Sequence, residues 1–136
     1  MKEAYAEVKE IHDLCVEKAH PGMRFKDLQQ MVCDYFKSHG HVTVDEDVHV
    51  TNGYMHSVGH GLGLNIHERP FSSKTGSDKD LLLPGAVFTI EPGLYYPDKP
   101  EPYGVRIEDT YYMDKDGKVS PLTNYPYRLI LDVPAK

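Results

Sequence analysis

The chain has 136 residues, the length of one domain, and 40% of them are hydrophobic, which is enough to build a single core. Its net charge of −6 comes from interspersed acidic and basic residues, so it offers no surface for a nucleic-acid backbone. No stretch is apolar enough for a signal peptide or a membrane span, so a soluble cytoplasmic protein is expected.

Two amphipathic helices are predicted at the start of the chain. The first ends at Pro21-Gly22, and the second begins near Asp27, which is expected to cap it, and stops at Gly40. Apolar residues recur at helical spacing in the first helix: Ala4, Val8, Ile11 and Cys15. Two helices therefore precede the remaining elements.

The chain has two cysteines, Cys15 and Cys33, and both fall on the apolar side of a predicted helix. In a reducing compartment such residues are expected to be buried and unpaired, with a reactive thiol as the alternative.

The rest of the chain has the patterns of β-strands. Alternating valines predict a strand pair over residues 42–50, and two further strands are predicted over residues 86–91 and 105–113. Residues 114–117 read as a hairpin turn, and Tyr127 to Leu131 as a closing strand. The order of elements favours the α+β class, with two helices packed on an antiparallel sheet.

Three histidines lie close together in a glycine-rich segment: His56, His60 and His67. The glycines between them lack side chains, so the backbone can bring imidazoles close to a metal or a substrate. Any one of these histidines alone would more often be an exposed turn residue. The three together favour a functional site.

Two glutamates stand out because each lies in an otherwise apolar predicted strand: Glu91 and Glu108. An ionised carboxylate is rarely buried without a partner or a metal, so both could point into one polar pocket. The alternative is that they are outward-facing residues, with Arg106 as a surface partner. An imidazole with several carboxylates suits Mn²⁺, Fe²⁺, Co²⁺ or Zn²⁺, and bridging carboxylates hold two ions about 3–4 Å apart.

These motifs resemble the creatinase/aminopeptidase family of "pita-bread" metallopeptidases. Residues 59–70 (GHGLGLNIHERP) resemble the metal-histidine segment of the whole family, and the resemblance extends from about residue 1 to residue 131. Residues 89–95 (TIEPGLY) and 104–109 (GVRIED) resemble the Xaa-Pro branch, which contains prolidase and aminopeptidase P. The resemblance implies a partial pita-bread fold with a curved antiparallel sheet, and hydrolysis of Xaa-Pro peptides.

The resemblance also implies a role for each residue of these motifs. His60, Glu91 and Glu108 would be metal ligands, with Glu108 bridging two ions and Glu91 also acting on the attacking water. His67 would contact the scissile carbonyl or the tetrahedral intermediate. Two further residues would contribute to substrate binding: His56, which lines the pocket, and Arg106, which supports the site.

The sequence departs from the family pattern in one respect. The family site also uses two aspartates on a hairpin that precedes the first helix, and Asp45 and Asp47 match neither its place nor its spacing. Residues 1–136 are therefore expected to be a truncated C-terminal part of one catalytic domain. We expect them to bind at most one metal ion weakly, to be poorly active or inactive, and to form a homodimer or associate with a missing half.

Several alternatives stay open at this point. A peptidase-like binding module without catalysis is the main one, although the retained ligands favour an enzyme. A creatinase shares the fold, and a methionine aminopeptidase does too, although residues 93–95 (GLY) argue against the latter. The sequence leaves undecided whether the substrate is a dipeptide or a longer peptide, which metal is native, and whether the short chain is an excised domain, a cleaved fragment or a natural paralogue.

Overall fold

The computed structural model of the chain describes residues 1–130. Helix α1 spans Lys2–Lys18 and helix α2 spans Phe25–Ser38. The seven strands that follow are β1 (His60–Gly61), β2 (Glu68–Phe71), β3 (Val87–Ile90), β4 (Gly93–Tyr96), β5 (Tyr103–Arg106), β6 (Asp109–Met113) and β7 (Val119–Pro121). Within the described residues, neither helix has the length and apolar character needed to cross a bilayer.

Five of these strands form one antiparallel sheet in the order β2-β1-β3-β6-β7, and β4 and β5 form a separate antiparallel pair. Strand β3 lies at the centre of the larger sheet, where Phe88 is opposite both Gly61 on β1 and Tyr111 on β6. The predicted α+β class, with two N-terminal helices on an antiparallel sheet, is confirmed.

The core lies between the two helices and the central strands. Helix α1 buries Val8 and Ile11, and helix α2 buries Phe25 and Leu28. Phe25 packs edge-on against Phe88 of β3, with ring centroids 5.7 Å apart. Each of these fully buried side chains contributes roughly 1.5–3 kcal/mol of hydrophobic stabilisation relative to an exposed one, so the helices hold the sheet in place.

Both cysteines are buried and free, as predicted. Burial raises the pKa of the Cys15 thiol, and burial together with the nearby Asp45 carboxylate raises the pKa of Cys33 to about 12. Thiols with such pKa values are protonated near neutral pH, and the thiolate is the nucleophilic form. The reactive alternative is therefore disfavoured for both.

The predicted strand pair over residues 42–50 is wrong. This segment consists mainly of turns, with a single bridge between Thr43 and Tyr54. The backbone N–H groups of Glu46 and Asp47 donate to the Thr43 carbonyl, and the Thr43 hydroxyl bonds to the Asp45 carboxylate. Such local hydrogen bonds compete with strand pairing, which the alternation of valines does not reveal.

The start of helix α2 also differs from the prediction. Arg24 occupies the N-cap position without a side-chain cap bond, and Asp27 lies inside the first turn. Asp27 instead forms an ion pair with Arg24 at 2.8 Å. A carboxylate in the first turn still stabilises the helix through its dipole, which explains why the aspartate signal marked the right region but not the right residue.

Two strand predictions near the C-terminus need correction. The single strand predicted over residues 105–113 is split into β5 and β6, and Ile107 and Glu108 belong to neither. The chain changes partner there, because β5 pairs with β4 whereas β6 pairs with β3 and β7. The closing strand predicted over residues 127–131 is not seen within its described part, 127–130, and Leu131 lies outside the described residues.

Candidate metal centre

Three side chains from separate parts of the chain converge on one point. His60 lies on β1, Glu91 directly follows β3, and Glu108 lies in the break between β5 and β6. Each offers a ligand atom, and these atoms all lie within 4.8 Å of one another. Two ligand atoms that each lie about 2.0–2.2 Å from one ion are at most about 4.4 Å from each other, so small side-chain adjustments would let the triad hold a cation.

The sequence brings His60 to this position through close packing of β1. A side chain on Gly61 would collide with the Arg69 carbonyl oxygen at 2.3 Å, and one on Gly59 would collide with the Thr89 carbonyl oxygen at 2.0 Å. Only glycine allows β1 to lie this close to its neighbours. The His60 backbone N–H then donates to the Thr89 hydroxyl at 3.1 Å, which anchors the histidine beside β3.

The orientation of the His60 ring suits metal binding. Its Nδ1 lies 3.0 Å from the Gly61 carbonyl oxygen, so the tautomer protonated on Nδ1 donates this hydrogen bond. The lone pair is then on Nε2, which lies 3.3 Å from Glu91 Oε1. Metal-binding histidines commonly donate their other ring nitrogen to a backbone carbonyl in this way. The donor set therefore fits a divalent cation.

The two carboxylates have weak cationic partners. Arg106 approaches Glu91 at 3.8 Å and Glu108 at 3.5 Å, and the arginine side chain is half exposed. Glu91 is held more firmly on its other side, because its backbone N–H donates to the Val58 carbonyl at 2.7 Å and the Thr89 hydroxyl donates to its Oε1 at 3.3 Å. Two nearby negative charges with one loosely placed guanidinium favour uptake of a further cation.

The other two predicted histidines lie beside the triad. The ring centroids of His60 and His67 are 4.3 Å apart. His56 Nδ1 lies 2.8 Å from the Ser57 carbonyl oxygen, and its Nε2 lies 2.9 Å from the Tyr95 hydroxyl. Both rings line a cavity of about 510 Å³, which we call the metal-site cavity and which Glu91 and Arg106 also line. A cavity of this size can hold a small peptide.

All six sequence-predicted residues thus lie at one place, although two details differ from the prediction. Glu91 and Glu108 were expected within strands, whereas both lie just beyond strand ends. The departure from regular pairing frees their side chains from the strict alternation of a sheet. Asp45 and Asp47 do not join the triad, and the Asp45 carboxylate pairs with Lys37 at 2.9 Å.

Sequence reasoning missed Gln29, which fixes the segment carrying His56. Its side-chain oxygen accepts hydrogen bonds from the Val58 backbone at 2.6 Å and the Tyr54 hydroxyl at 3.0 Å, and its amide donates to the His56 carbonyl at 3.3 Å. The available signal was a polar residue at helical spacing from apolar Phe25.

Sequence reasoning also missed Tyr95, whose hydroxyl bonds to His56. Burial raises the pKa of Tyr95, while the nearby Arg106 opposes that rise. The hydroxyl therefore stays protonated near neutral pH and donates to His56 Nε2. The motif of residues 89–95 ends at this tyrosine, but nothing in the sequence indicates a hydrogen bond between its hydroxyl and His56.

Comparison with known proteins shows clear similarity to metallopeptidases. The family model of Metallopeptidase family M24 matches residues 1–115. Over 116 residues the chain is 39% identical to the Xaa-Pro dipeptidase of Pyrococcus furiosus, covering 85% of this chain and 29% of that protein. It is 38% identical over 119 residues to an uncharacterized peptidase of Methanocaldococcus jannaschii, covering 86% of this chain and 30% of that protein. The chain thus spans about 30% of the length of these curated relatives.

Solved structures of metallopeptidases are also similar to this chain. The prolidase from Pyrococcus horikoshii superimposes with a TM-score of 0.77 and 36% identity, over 95% of this chain and 33% of that one. The X-Pro aminopeptidase from Thermotoga maritima superimposes with a TM-score of 0.75 and 29% identity, over 93% of this chain and 32% of that one. The two helices and the antiparallel sheet therefore match part of the prolidase pita-bread fold.

Proposed function

The chain belongs to metallopeptidase family M24, and from that premise we propose that it carries half of a metal centre that hydrolyses the peptide bond before proline in Xaa-Pro substrates. His60, Glu91 and Glu108 are the metal ligands in this proposal. The observation that carries it is the convergence of three ligand atoms within 4.8 Å. The ring orientation of His60, with Nδ1 at the Gly61 carbonyl, supports the same role.

Bound divalent ions would supply Lewis acidity and lower the pKa of water. The chain's own residues would do the rest. Glu91 is placed to accept a proton from the attacking water, because its carboxylate lies at the triad and lines the metal-site cavity. His67 lies next to His60 and would donate a hydrogen bond to the carbonyl oxygen as negative charge develops there. Glu108 would help His60 and Glu91 to hold the metal.

Two further residues would bind the substrate. His56 is held by the Ser57 carbonyl and the Tyr95 hydroxyl, so its ring has a fixed orientation in the cavity wall. Arg106 lies near both carboxylates and is half exposed, so its guanidinium can offset the charge of the glutamates or contact the peptide. Proline-containing peptides are the substrates that this arrangement and the similarity to Xaa-Pro dipeptidases favour.

We further propose that residues 1–136 alone hold at most one ion weakly and turn over slowly. Three protein ligands leave one side of a two-ion centre open to water. Further carboxylates would come from another segment or chain, through a homodimer or a complementing half. Mn²⁺, Co²⁺, Zn²⁺ and Fe²⁺ all suit a donor set of one imidazole and two carboxylates.

Titration calorimetry tests this proposal. Mn²⁺ and Co²⁺ are titrated into the wild-type protein and into His60→Ala, with His49→Ala as the matched control because His49 is exposed and is not one of the triad residues. We expect weak uptake of one ion and at least a roughly tenfold loss of affinity in His60→Ala alone, since removing even an outer-shell partner costs about 10–100-fold.

An Xaa-Pro hydrolysis assay follows on the same samples. Tight binding of two ions with rapid turnover would overturn the half-site proposal. Equal metal uptake by His60→Ala and wild type would remove His60 as a ligand. Metal binding with no hydrolysis, even when the chain is supplied with a complementing half, would favour the alternative of a peptidase-like binding module.

A further inference from the structure

A second cavity adjoins the metal-site cavity. It measures about 590 Å³, and the two cavities share the lining residues His56, Ser57 and Ser73. We call it the distal cavity. Because three residues line both, the two cavities adjoin, and we treat them as one groove whose distal part is lined by none of the triad residues. A peptide bound at the triad would have room to continue along this groove.

Two chain segments form the walls at the junction, residues 55–60 and residues 71–75. The buried Ser72 ties them together: the Gly59 backbone N–H donates to the Ser72 hydroxyl oxygen at 2.9 Å, and that hydroxyl donates to the Gly59 carbonyl at 2.5 Å. The junction is therefore built from satisfied, buried hydrogen bonds. Ser73 and the next residue, Lys74, follow directly from this fixed point.

The distal cavity combines an apolar wall with a cation. Val44, Val48 and Met55 supply the apolar surface, and the 76% exposure of Val48 leaves much of it uncovered. Lys74 supplies the cation. An apolar wall that ends at an ammonium group is complementary to a peptide segment whose side chains are followed by an α-carboxylate.

The Lys74 ammonium does not form a close ion pair with Asp45, the one carboxylate that lines this cavity. Asp45 is held by Lys37 at 2.9 Å, whereas the Lys74 ammonium lies 3.9 Å from the Asp45 carboxylate and 3.5 Å from its carbonyl. Burial raises the pKa of Asp45, but hydrogen bonds from Thr43, Lys37 and Gln30 outweigh burial and keep that pKa below its ordinary value. Asp45 is thus an ionised and already paired group, and the more exposed Lys74 ammonium is available to another anion.

We propose that Lys74 binds the C-terminal carboxylate of peptides that extend beyond the proline, and that the distal cavity holds their additional residues. The inference rests on the proposed function, since it assumes that the triad is where the bond before proline is cleaved. The direction follows from charge: an ammonium attracts the C-terminal carboxylate and repels the substrate's N-terminal ammonium. In this proposal a dipeptide ends within the metal-site cavity, which Lys74 does not line, so Lys74 would select longer substrates.

Peptide length and C-terminal charge test this role. Affinity is measured by isothermal titration in Mn²⁺ for Ala-Pro, Ala-Pro-Ala and Ala-Pro-Ala-Ala, each as the free acid and as the C-terminal amide. An extended chain gains about 3.3–3.6 Å per residue, so the free-acid preference should rise with length until the carboxylate reaches Lys74. At that length we expect the free acid to bind about three- to tenfold more tightly than the amide.

Three variants assign that preference to Lys74. Lys74→Met should abolish it, and Lys74→Arg should retain most of it because the charge remains. Lys79→Met is the matched control, because Lys79 is exposed on the same loop but lines neither cavity. It should behave as wild type.

The outcomes separate this inference from the proposed function. If Xaa-Pro peptides bind but Lys74→Met keeps the free-acid preference, the role of Lys74 is wrong and the metal centre stands. If no Xaa-Pro peptide binds, both are overturned. The alternative is that the protein uses the distal cavity to bind a second copy of the chain. That result would be self-association that Val48→Ser abolishes and that peptides do not inhibit, and it would show that the inference is wrong.

Discussion

The chain neighbours Glu108 and Asp109 belong to two polar clusters of opposite character. The Glu108 side chain is 39% exposed and faces the open triad with His60 and Glu91. The Asp109 side chain is 6% exposed and lies 4.0 Å from His12, which is almost completely buried. The first cluster reaches solvent through Glu108 and has only loosely placed partners, whereas the second is enclosed.

The enclosed cluster is satisfied from within the protein. The Tyr111 hydroxyl lies 3.2 Å from His12 Nε2, and the Thr123 hydroxyl donates to the Asp109 carboxylate. Gln29 is a second enclosed group of this kind, with partners on both its oxygen and its nitrogen. Enclosed, satisfied groups contribute to folding, whereas two carboxylates that share one half-exposed guanidinium are better suited to binding. The difference predicts which substitutions affect stability and which affect metal binding.

The largest effect is expected at Gln29. Gln29→Leu removes the acceptor of the Val58 N–H and of the buried Tyr54 hydroxyl. Leaving buried donors unsatisfied should lower the free energy of unfolding by about 2–4 kcal/mol. Gln30→Leu is the matched control, because Gln30 is the next residue on the same helix and is exposed. Urea denaturation measures both, and equal effects would show that Gln29 is not a special anchor.

The enclosed groups were the part of the molecule that sequence patterns predicted least well. His12 and Tyr111 are 99 residues apart, and Gln29 and Val58 are 29 apart, so their hydrogen bonds depend on tertiary packing. Local periodicity predicts which helix faces are apolar, but a polar residue on such a face gives no indication of its distant partner. The helices were predictable because their signal is local, apart from the exact start of α2.

The open triad could be predicted because its residues lie in short motifs of distinctive composition. Histidine among glycines and glutamate after an apolar strand are both unusual, and each signal is contained within a few residues. The strand boundaries around Glu108 were not predictable, because β5 and β6 have different partners and the change of partner leaves no local mark. Hydrogen-bonded turns likewise overrode the alternation of valines over residues 42–50.

A smaller effect is expected from the protonation of His12. Burial lowers the pKa of His12 below 6.5, although a hydrogen bond from the His12 ring to the Asp13 carboxylate and the charges of Asp13 and Asp109 oppose the shift. Between the folded and unfolded pKa values the unfolded chain binds more protons, so stability falls as the pH drops below 6.5 and is fully present above it. The enclosed cluster therefore makes the fold sensitive to mild acid.

Denaturation midpoints from about pH 7.5 to about pH 5 measure this dependence. The His12→Gln variant should lose part of the slope, because the titrating group is gone while a polar side chain remains. His49→Gln is the control, because His49 is exposed. If wild type and His12→Gln have the same slope, His12 does not contribute and other groups carry the acid sensitivity.

The smallest effect on stability is expected at Glu108, on the open side of the comparison. Glu108→Gln should change the metal-free free energy of unfolding by no more than about 0.5 kcal/mol, as exposed substitutions usually do. The sign should be slightly stabilising, because the change removes one of two neighbouring negative charges while Arg106 remains near Glu91. Glu101→Gln is the matched control, because Glu101 is exposed and lies outside the triad.

For metal binding the order of these effects should reverse, so that Glu108→Gln, which changes stability least, changes metal binding most. A ligand that binds only the folded state stabilises it by an amount that grows with the logarithm of affinity and concentration, so Mn²⁺ should stabilise wild type and Glu101→Gln more than Glu108→Gln. Denaturation with and without Mn²⁺ measures both quantities on the same samples. If Glu108→Gln instead destabilises the metal-free protein by more than about 1 kcal/mol and responds to Mn²⁺ as wild type does, Glu108 would belong with the enclosed, structural groups.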